Sequence, residues 1–204
     1  MRSAIVLAGG RSTRMNGEKG LKELGGEALV NRVLRTIGDM VDEVILVVGS
    51  PEQREAYSRI VMHDITFTID VYKDGSPLVG ALTGFRSVSG EYALITACDM
   101  PFISRMAVET LFDEAQGHNG ASYQWPNEWI EPLFAVYRVE PSLTKAVELY
   151  NSGDLRLRKI LLQLPDVKMI PIDALRAVDP DLRTLFDADT EEALNEAEKI
   201  LKKM

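Results

Sequence analysis

A cationic, glycine-rich segment follows the first apolar run of the chain. The segment LAGGRSTRMNGEKGL, residues 7–21, combines four glycines with Arg11, Arg14 and Lys19. Glycines let another group approach backbone N–H groups closely, and such groups just past a strand bind phosphate. Arginine and lysine add charge-assisted hydrogen bonds, which are the strong kind to phosphate. The segment therefore favours a small phosphorylated ligand, although a tight basic turn would contain the same residue types.

An aspartate follows another apolar run at a position suited to ligand binding. Asp99 comes directly after YALITAC, residues 92–98. The carboxyl end of a parallel strand opens onto the crevice where α/β sheets bind ligands. An alternative is that Asp99 caps the next helix, since Pro101 follows it. The phosphate-binding patterns GxGxxG and GxxxxGK[ST] are both absent from residues 7–21, so neither a dinucleotide fingerprint nor a P-loop is indicated.

The chain has few cysteine and histidine residues for catalysis or metal binding. The chain has one cysteine, Cys98, and two histidines, His63 and His118. These are too few for a disulfide framework or a Cys/His zinc site. No local motif places a histidine to activate Cys98, and apolar neighbours raise the pKa of a thiol. We interpret Cys98 as a buried structural residue and both histidines as surface residues.

The elements that must position these side chains alternate along the chain. Short apolar runs are separated by stretches long enough for helices, which is typical of βαβ units and a mostly parallel sheet. Helical periodicity and capping signals add further elements. The predicted strands are 4–7, 43–48, 66–72, 92–97, 134–138 and 167–172, and the predicted helices are 28–37, 51–61, 105–115, 153–164 and 190–203.

Composition limits the class of protein. The chain has 204 residues, of which 46% are hydrophobic, and a formal net charge of −8. That content fills one core, and the acidic balance argues against a nucleic acid or an anionic membrane as partner. The apolar run at the N-terminus is five residues long, too short for a signal peptide or a membrane span. We expect a cytoplasmic protein with one domain and no linker.

Several stretches together resemble a known family. LAGGRSTRM followed by GEKGL is similar to the signature of nucleotidyltransferases with a Rossmann-like sheet. Within that superfamily the chain most resembles the molybdenum cofactor guanylyltransferases, and the resemblance spans nearly the whole chain. The further stretches are DGSPLVGALTG (74–84), ITACDMPFIS (95–104), EPLFAVYR (131–138), GDLRLRKIL (153–161) and LFDADTEEAL (185–194).

The resemblance implies a fold and an activity. The fold is α/β, a three-layer Rossmann-like, mostly parallel sheet with helices on both faces, in one nucleotidyltransferase domain over 1–204. Residues 1–100 would form the nucleotide-binding half and 101–204 the acceptor-binding half. The activity is Mg²⁺-dependent transfer of GMP from GTP to the phosphate of molybdopterin, with release of pyrophosphate. No nucleic acid or membrane partner is implied, and we expect a monomer or a weak homo-oligomer.

The resemblance also assigns roles to residues. The first loop would wrap the triphosphate, Arg14 and Lys19 would place charges on the β- and γ-phosphates, and Asp99 would hold Mg²⁺, which prefers oxygen ligands. The alternative for Lys19 is a solvated surface lysine. The predicted catalytic residues are Arg14, Lys19 and Asp99, and the predicted nucleotide-binding residues are Leu7, Ala8, Gly9, Gly10, Lys19, Asp74 and Asp99.

Two further aspartates have open interpretations. Asp74 matches a family aspartate near the ribose and the metal, or it stabilises its own turn. Asp189 stands, with Asp187, where the family usually has asparagines; it is either a second Mg²⁺ ligand or the N-cap of the final helix.

The chain also departs from the family pattern at two places. The turn reads SPLVG, and SPEQR (50–54) replaces an asparagine-bearing segment, so that Ser50 and Gln53 are possible substitutes and the base preference is open. The competing functions are cytidylyl transfer to molybdopterin, guanylyl transfer to another phosphorylated acceptor, and nucleotide-binding regulation without catalysis.

Overall fold

The computed structural model describes residues 1–9, 18–72 and 75–203. The predicted site residues Gly10, Arg14 and Asp74 lie outside these ranges. Within them the strands are β1 (Arg2–Leu7), β2 (Glu23–Leu24), β3 (Glu27–Ala28), β4 (Glu43–Val48), β5 (Thr66–Ile69), β6 (Tyr92–Ala97), β7 (Gly120–Gln124), β8 (Ile130–Arg138) and β9 (Lys168–Pro171). The helices are α1 (Leu29–Ile37), α2 (Pro51–Ser58), α3 (Pro77–Phe85), α4 (Arg105–Ala115), α5 (Val139–Asn151), α6 (Arg158–Gln163), α7 (Ile172–Val178) and α8 (Glu191–Leu201).

Seven strands form one sheet in the order β5-β4-β1-β6-β8-β7-β9. The first four of these run parallel, and Leu7 at the end of β1 lies opposite Val47 of β4 and Ala97 of β6. β8 is antiparallel to both of its neighbours, and β9 is parallel to β7. The carboxyl ends of β1, β4, β5 and β6 therefore meet at one edge, as the expected mostly parallel sheet requires.

Helices cover both faces of the sheet. One core contains Val33 of α1, Tyr57 of α2 and Leu111 of α4. The other core contains Leu82 of α3 and Ile160 of α6. The strands between them are buried on both sides, as parallel strands covered by crossover helices are. The predicted three-layer α/β fold is confirmed.

A third, smaller cluster fixes the C-terminal segment. Leu24 of the β2–β3 hairpin and Leu29, the first residue of α1, pack with Ala188 and with Ala197 of α8. The backbone N–H of Gly25 also donates to the Glu198 carboxylate, at 2.8 Å. Residues 186–190 are thereby held beside the sheet edge at which β6 ends. None of the helices in the described ranges has the length and apolar character needed to span a bilayer.

Most predicted elements are present: β4, β6 and α4 have the predicted bounds, whereas β1 and β8 begin earlier than predicted. The predicted helix over 153–164 is wrong in its first half, because α6 begins only at Arg158. Gly153 has a φ of +79°, and the Arg156 N–H donates to the Asp154 carboxylate, which makes this stretch a turn. Helix α5 was not predicted, since its polar residues and its proline in the first turn weaken the periodic signal. The strand predicted over 66–72 ends at Ile69.

Candidate active site

A cleft of about 340 Å³ opens at the carboxyl ends of β1, β4 and β6. The first turn of α3 forms one wall, and the segment before β2 and residues 187–189 form others. Strand ends and a helix N-terminus supply backbone groups here, and an α/β sheet binds its ligands at this edge. All the predicted site residues within the described ranges line this cleft; they are Leu7, Ala8, Gly9, Lys19, Asp99 and Asp189.

Lys19 and Asp99 form an ion pair inside the cleft. Asp99 lies just beyond β6 and is 7% exposed. Lys19 begins a single helical turn, Lys19–Leu21, and its Nζ lies 3.3 Å from Asp99 Oδ2. The cap of the following helix α4 is Ser104, whose hydroxyl accepts from Ala107 N–H, so the alternative that Asp99 is this cap is wrong. The structure therefore brings together the cation and the carboxylate that the sequence singled out.

Two more carboxylates approach Asp99 from the C-terminal segment. The N–H of Ala188 donates to the backbone carbonyl of Asp99 at 2.9 Å, and Ala188 is fully buried. Its neighbours Asp187 and Asp189 both line the cleft. The N-cap of α8 is Thr190, whose hydroxyl accepts from Ala193 N–H at 3.0 Å, so the N-cap alternative for Asp189 is wrong.

The neighbouring carboxylates affect the pKa of Asp187. Burial, and after it the charges of Asp99 and Asp189, raises the pKa of Asp187 to about 6. Lys19 acts in the opposite direction but does not offset these effects. A site with an excess of carboxylate in partial burial favours a bound cation.

The donor set fits a magnesium ion that also has ligands from outside the protein. Carboxylate oxygens, which Asp99 and Asp189 supply, are the ligands that Mg²⁺ prefers. Across the described residues, no three His, Cys, Asp or Glu side chains group closely enough to hold a metal ion themselves. Mg²⁺ commonly binds through one or two carboxylates together with substrate phosphates and water, so the arrangement suits an ion that arrives with a nucleotide.

The backbone after β1 is packed tightly. The Ala8 N–H donates to the Val47 carbonyl at 2.8 Å, which places Ala8 and Gly9 at the floor of the cleft. A Cβ added to Gly9 would lie 3.1 Å from both Asp70 Oδ2 and the Gly49 nitrogen. A side chain at this position would therefore need Asp70 or the Gly49 backbone to shift by a few tenths of an ångström, although the φ of Gly9 is not in the left-handed region.

Asp70 is a cleft residue that the sequence analysis missed. It follows the last residue of β5, and its Oδ1 is buried without a hydrogen-bond partner among the described residues. Burial raises its pKa to about 6, and a hydrogen bond from Thr83 offsets part of the effect. Because Asp70 lines the cleft, its unpartnered oxygen is suited to a hydrogen-bond donor on a ligand. Its place at a strand end, like that of Asp99, was the signal for it.

The suggested substitutes for the family asparagine have other partners. The Ser50 hydroxyl caps α2 by accepting from Gln53 N–H at 3.2 Å. The Gln53 side chain accepts from Gly49 N–H and donates to Glu18. Neither residue lines the cleft.

The thiol and imidazole side chains are not placed for catalysis. Cys98 lines the back of the cleft but is only 5% exposed. Burial, and after it the charge of Asp99, raises the pKa of the Cys98 thiol to about 12, so it is un-ionised at neutral pH. His63 and His118 do not line the cleft, and His118 pairs with Asp166 at 2.9 Å. Among the described residues, the groups that the cleft offers for catalysis are carboxylates, a lysine and backbone groups.

Comparisons with known proteins agree with this geometry. A model of the MobA-like NTP transferase domain matches residues 4–167. The chain is 36% identical to a probable molybdenum cofactor guanylyltransferase from Methanosarcina mazei, over 95% of this chain and 88% of that protein. It is 33% identical to one from Natronomonas pharaonis, over 98% of each chain.

A solved structure is similar over its full length. The crystal structure of molybdopterin-guanine dinucleotide biosynthesis protein A from Archaeoglobus fulgidus superposes with a TM-score of 0.84 at 27% identity, and the match covers 100% of both chains. The family model spans most of this chain and the relatives span nearly all of it. The chain therefore belongs to the MobA-like NTP transferase family.

Proposed function

We propose that this protein is a molybdenum cofactor guanylyltransferase, which transfers GMP from GTP to the phosphate of molybdopterin. The names of its relatives, at 33–36% identity over nearly the whole chain, support this reaction. The observation that carries the proposal is the Lys19–Asp99 pair in the cleft beyond β1 and β6. It places one cation for phosphates and one carboxylate for a metal ion within contact distance of each other.

The reaction needs no side-chain nucleophile. A phosphate oxygen of the acceptor attacks the α-phosphorus of GTP, a new P–O bond forms, and the bond between the α-phosphorus and the β-phosphate oxygen breaks. Pyrophosphate leaves with the electron pair of that bond. The acceptor phosphate is already ionised at neutral pH, so no general base is required. Catalysis then depends on positioning and on neutralising charge, as in other phosphoryl transfers.

Lys19 has two partners in this scheme. In the free protein its ammonium neutralises Asp99, at 3.3 Å. With GTP bound, the same ammonium would turn to the β- and γ-phosphates, where negative charge accumulates as pyrophosphate leaves. The N–H of Gly9, just past the end of β1, would add an uncharged donor to the same phosphates, whereas the Ala8 N–H is already bonded to the Val47 carbonyl.

Asp99 and Asp189 would hold Mg²⁺ at this site. When bound, the ion supplies charge neutralisation on the phosphate oxygens of the nucleotide. Asp187, which also lines the cleft, would add to the negative potential of the site. Asp70 lies at the opposite end of the same row of strand ends, since β5 and β6 flank the β4–β1 pair. Its unpartnered oxygen suits a donor on the nucleoside rather than a phosphate.

The test is a substrate panel with the purified protein. Molybdopterin and Mg²⁺ are incubated with GTP, CTP, ATP or UTP, and both pyrophosphate and the dinucleotide product are quantified. We expect stoichiometric pyrophosphate and a guanine dinucleotide, with GTP preferred at least tenfold. A preference for CTP, or tight GTP·Mg²⁺ binding without pyrophosphate release when molybdopterin is present, would overturn the proposal.

A further inference from the structure

The two charged residues of the cleft sit on short connections that need support. Lys19 lies on the segment 18–22, and Asp99 lies just beyond β6. Helix α2 packs behind both of them. Its residue Tyr57 is fully buried and belongs to the core beneath the sheet edge, and it does not line the cleft. Tyr57 is therefore placed to act on Lys19 and Asp99 from behind.

The Tyr57 hydroxyl contacts the neighbour of each charged residue. Its oxygen lies 3.7 Å from Sγ of Cys98, the residue before Asp99. On the other side is Gly20, the residue after Lys19. A Cβ added to Gly20 would lie 2.7 Å from the Tyr57 hydroxyl and 2.9 Å from Cys98 Sγ. The backbone of Gly20 thus rests directly on the phenol oxygen and the thiol.

The polar groups found beside this hydroxyl in the described part of the chain belong to Cys98 and Gly20. Burial raises the pKa of Tyr57 well above its usual range, and the nearby backbone N–H of Gly20 acts against that shift. A buried hydroxyl that keeps polar neighbours on two segments holds both of them, because separating either leaves polar groups unpaired.

A second contact from the same helix steadies the other side of Lys19. Gln53 lies four residues before Tyr57, so the two side chains share one face of α2. Its Nε2 donates to Glu18 Oε2 at 2.8 Å, and its Oε1 accepts from Gly49 N–H at 2.6 Å. Both neighbours of Lys19, Glu18 and Gly20, are therefore held by side chains of α2.

We infer that Tyr57 is a positioning residue for nucleotide binding, whose hydroxyl seats the Lys19 segment against the end of β6. It holds the ammonium of Lys19 beside the Asp99 carboxylate and does not itself contact the substrate. The inference rests on the proposed function for its kinetic consequence. Its structural part, that the hydroxyl keeps Gly20 seated over Cys98, stands without it.

The kinetic test compares two buried phenols. Tyr57→Phe removes the hydroxyl and keeps the ring. Tyr123→Phe is the control, because Tyr123 is also fully buried and its hydroxyl donates to the Ala107 carbonyl, away from the cleft. We expect kcat/KM for GTP to fall about tenfold in Tyr57→Phe, mainly through KM, and less than twofold in Tyr123→Phe. Equal values in the two variants would overturn the inference.

A double-mutant cycle separates positioning from a general loss of structure. If Tyr57 acts through Lys19, then Tyr57→Phe in a Lys19→Ala background should lower kcat/KM by less than a further twofold. A merely structural role would give the same tenfold loss in both backgrounds, which would contradict the inference.

Cys98 provides a readout that needs no activity. It is the only cysteine of the chain and lies beneath Gly20, so its alkylation by iodoacetamide reports whether the segment is seated. We expect labelling at least fivefold faster in Tyr57→Phe than in wild type or Tyr123→Phe. The Tyr57 hydroxyl lowers the pKa of the thiol, so its loss alone would slow the reaction, and faster labelling reports uncovering.

The outcomes of these tests distinguish a failure of the proposed function from a failure of the inference about Tyr57. A wild-type protein without transferase activity refutes the proposed function, while the labelling rate still tests the seating of Gly20. Unchanged labelling in Tyr57→Phe refutes the inference, and so does faster labelling with unchanged GTP kinetics.

Discussion

The ammonium of Lys19 lies 3.3 Å from the carboxylate of Asp99, although 80 positions separate them in the sequence. Lys19 approaches from the segment before β2, and Asp99 from the end of β6. Their side chains are partly withdrawn from water, with 30% and 10% exposed. Under the proposed function, the two charges that would bind the nucleotide and its metal ion are stored as a pair in the free protein. Binding would then exchange this contact for contacts to phosphate and metal.

The stored pair predicts a change in metal affinity. Lys19→Ala removes the cation that competes for Asp99, so the protein without nucleotide should bind Mn²⁺ at least fivefold more tightly, because like charges no longer oppose the ion. The measurement is a Mn²⁺ titration followed by electron paramagnetic resonance. Asp99→Asn in the same background should abolish the gain.

Lys22→Ala is the matched control for that titration. Lys22 lies three residues further on and pairs with Glu191 at 3.2 Å, at the surface and away from the cleft lining. Its affinity for Mn²⁺ should equal that of wild type. Equal Mn²⁺ affinities of Lys19→Ala and wild type would show that Lys19 does not compete for the metal position.

Asp70 predicts a dependence of stability on pH. Burial raises its pKa from 3.8 to about 6, so the folded state keeps a proton that the unfolded state loses between these values. The free energy of unfolding therefore falls as the pH rises through this window and stays lower above it. Asp70→Asn should be more stable than wild type at pH 7.5 by about 1 kcal/mol, because partial solvent access weakens the effect of burial, and equally stable near pH 4.

Urea unfolding at a series of pH values measures this difference. Asp64→Asn, a change at an exposed aspartate earlier in the chain, serves as control and should leave the profile unchanged. If the free energies of unfolding of Asp70→Asn and wild type changed with pH in parallel, burial of the Asp70 carboxylate would not destabilise the folded protein.

The close packing around Gly20 predicts that a larger residue at this position destabilises the protein. Its φ is not in the left-handed region, but an added Cβ would come within 3.0 Å of both Tyr57 and Cys98. Gly20→Ala should lower the free energy of unfolding by about 1–3 kcal/mol, as overpacking does, and should lower the affinity for GTP. Gly38→Ala is the control, since a Cβ at Gly38 meets no atom within 4 Å.

Denaturant unfolding and GTP titration of the two glycine variants provide the measurement. Gly38→Ala should be neutral or stabilising by about 0.4–1 kcal/mol. If Gly20→Ala matched it in both assays, the close packing of segment 18–22 on α2 would be ruled out.

The strand ends that line the cleft were predictable because they depend on local chemistry. Apolar runs of four to seven residues mark buried strands, and an aspartate directly after such a run, as at Asp99, must lie at the carboxyl edge of the sheet. Lys19 was found through its glycine neighbours and the family resemblance. The structure shows that it lies within contact distance of Asp99; the roles of the two residues remain predictions.

Other parts of the site depend on contacts that no local pattern shows. Asp70 was passed over because the apolar alternation continues to Tyr72, whereas pairing with β4 stops at Ile69. Several polar residues precede α4 and α8, and the sequence alone does not show that Ser104 and Thr190 are the ones that cap these helices. Tyr57 was not singled out from the sequence, and only its packing on Gly20 and Cys98 connects it to the cleft.

The central claim is that Lys19 and Asp99 act on the same triphosphate and its metal ion, and steady-state kinetics of guanylyl transfer test it most directly. Lys19→Ala and Asp99→Asn should each lower kcat/KM by about 10² to 10³, with both proteins folded, because each removes one preorganised charge from the transition state. Lys22→Ala should stay within twofold of wild type. Near-normal turnover in either cleft variant would contradict the account.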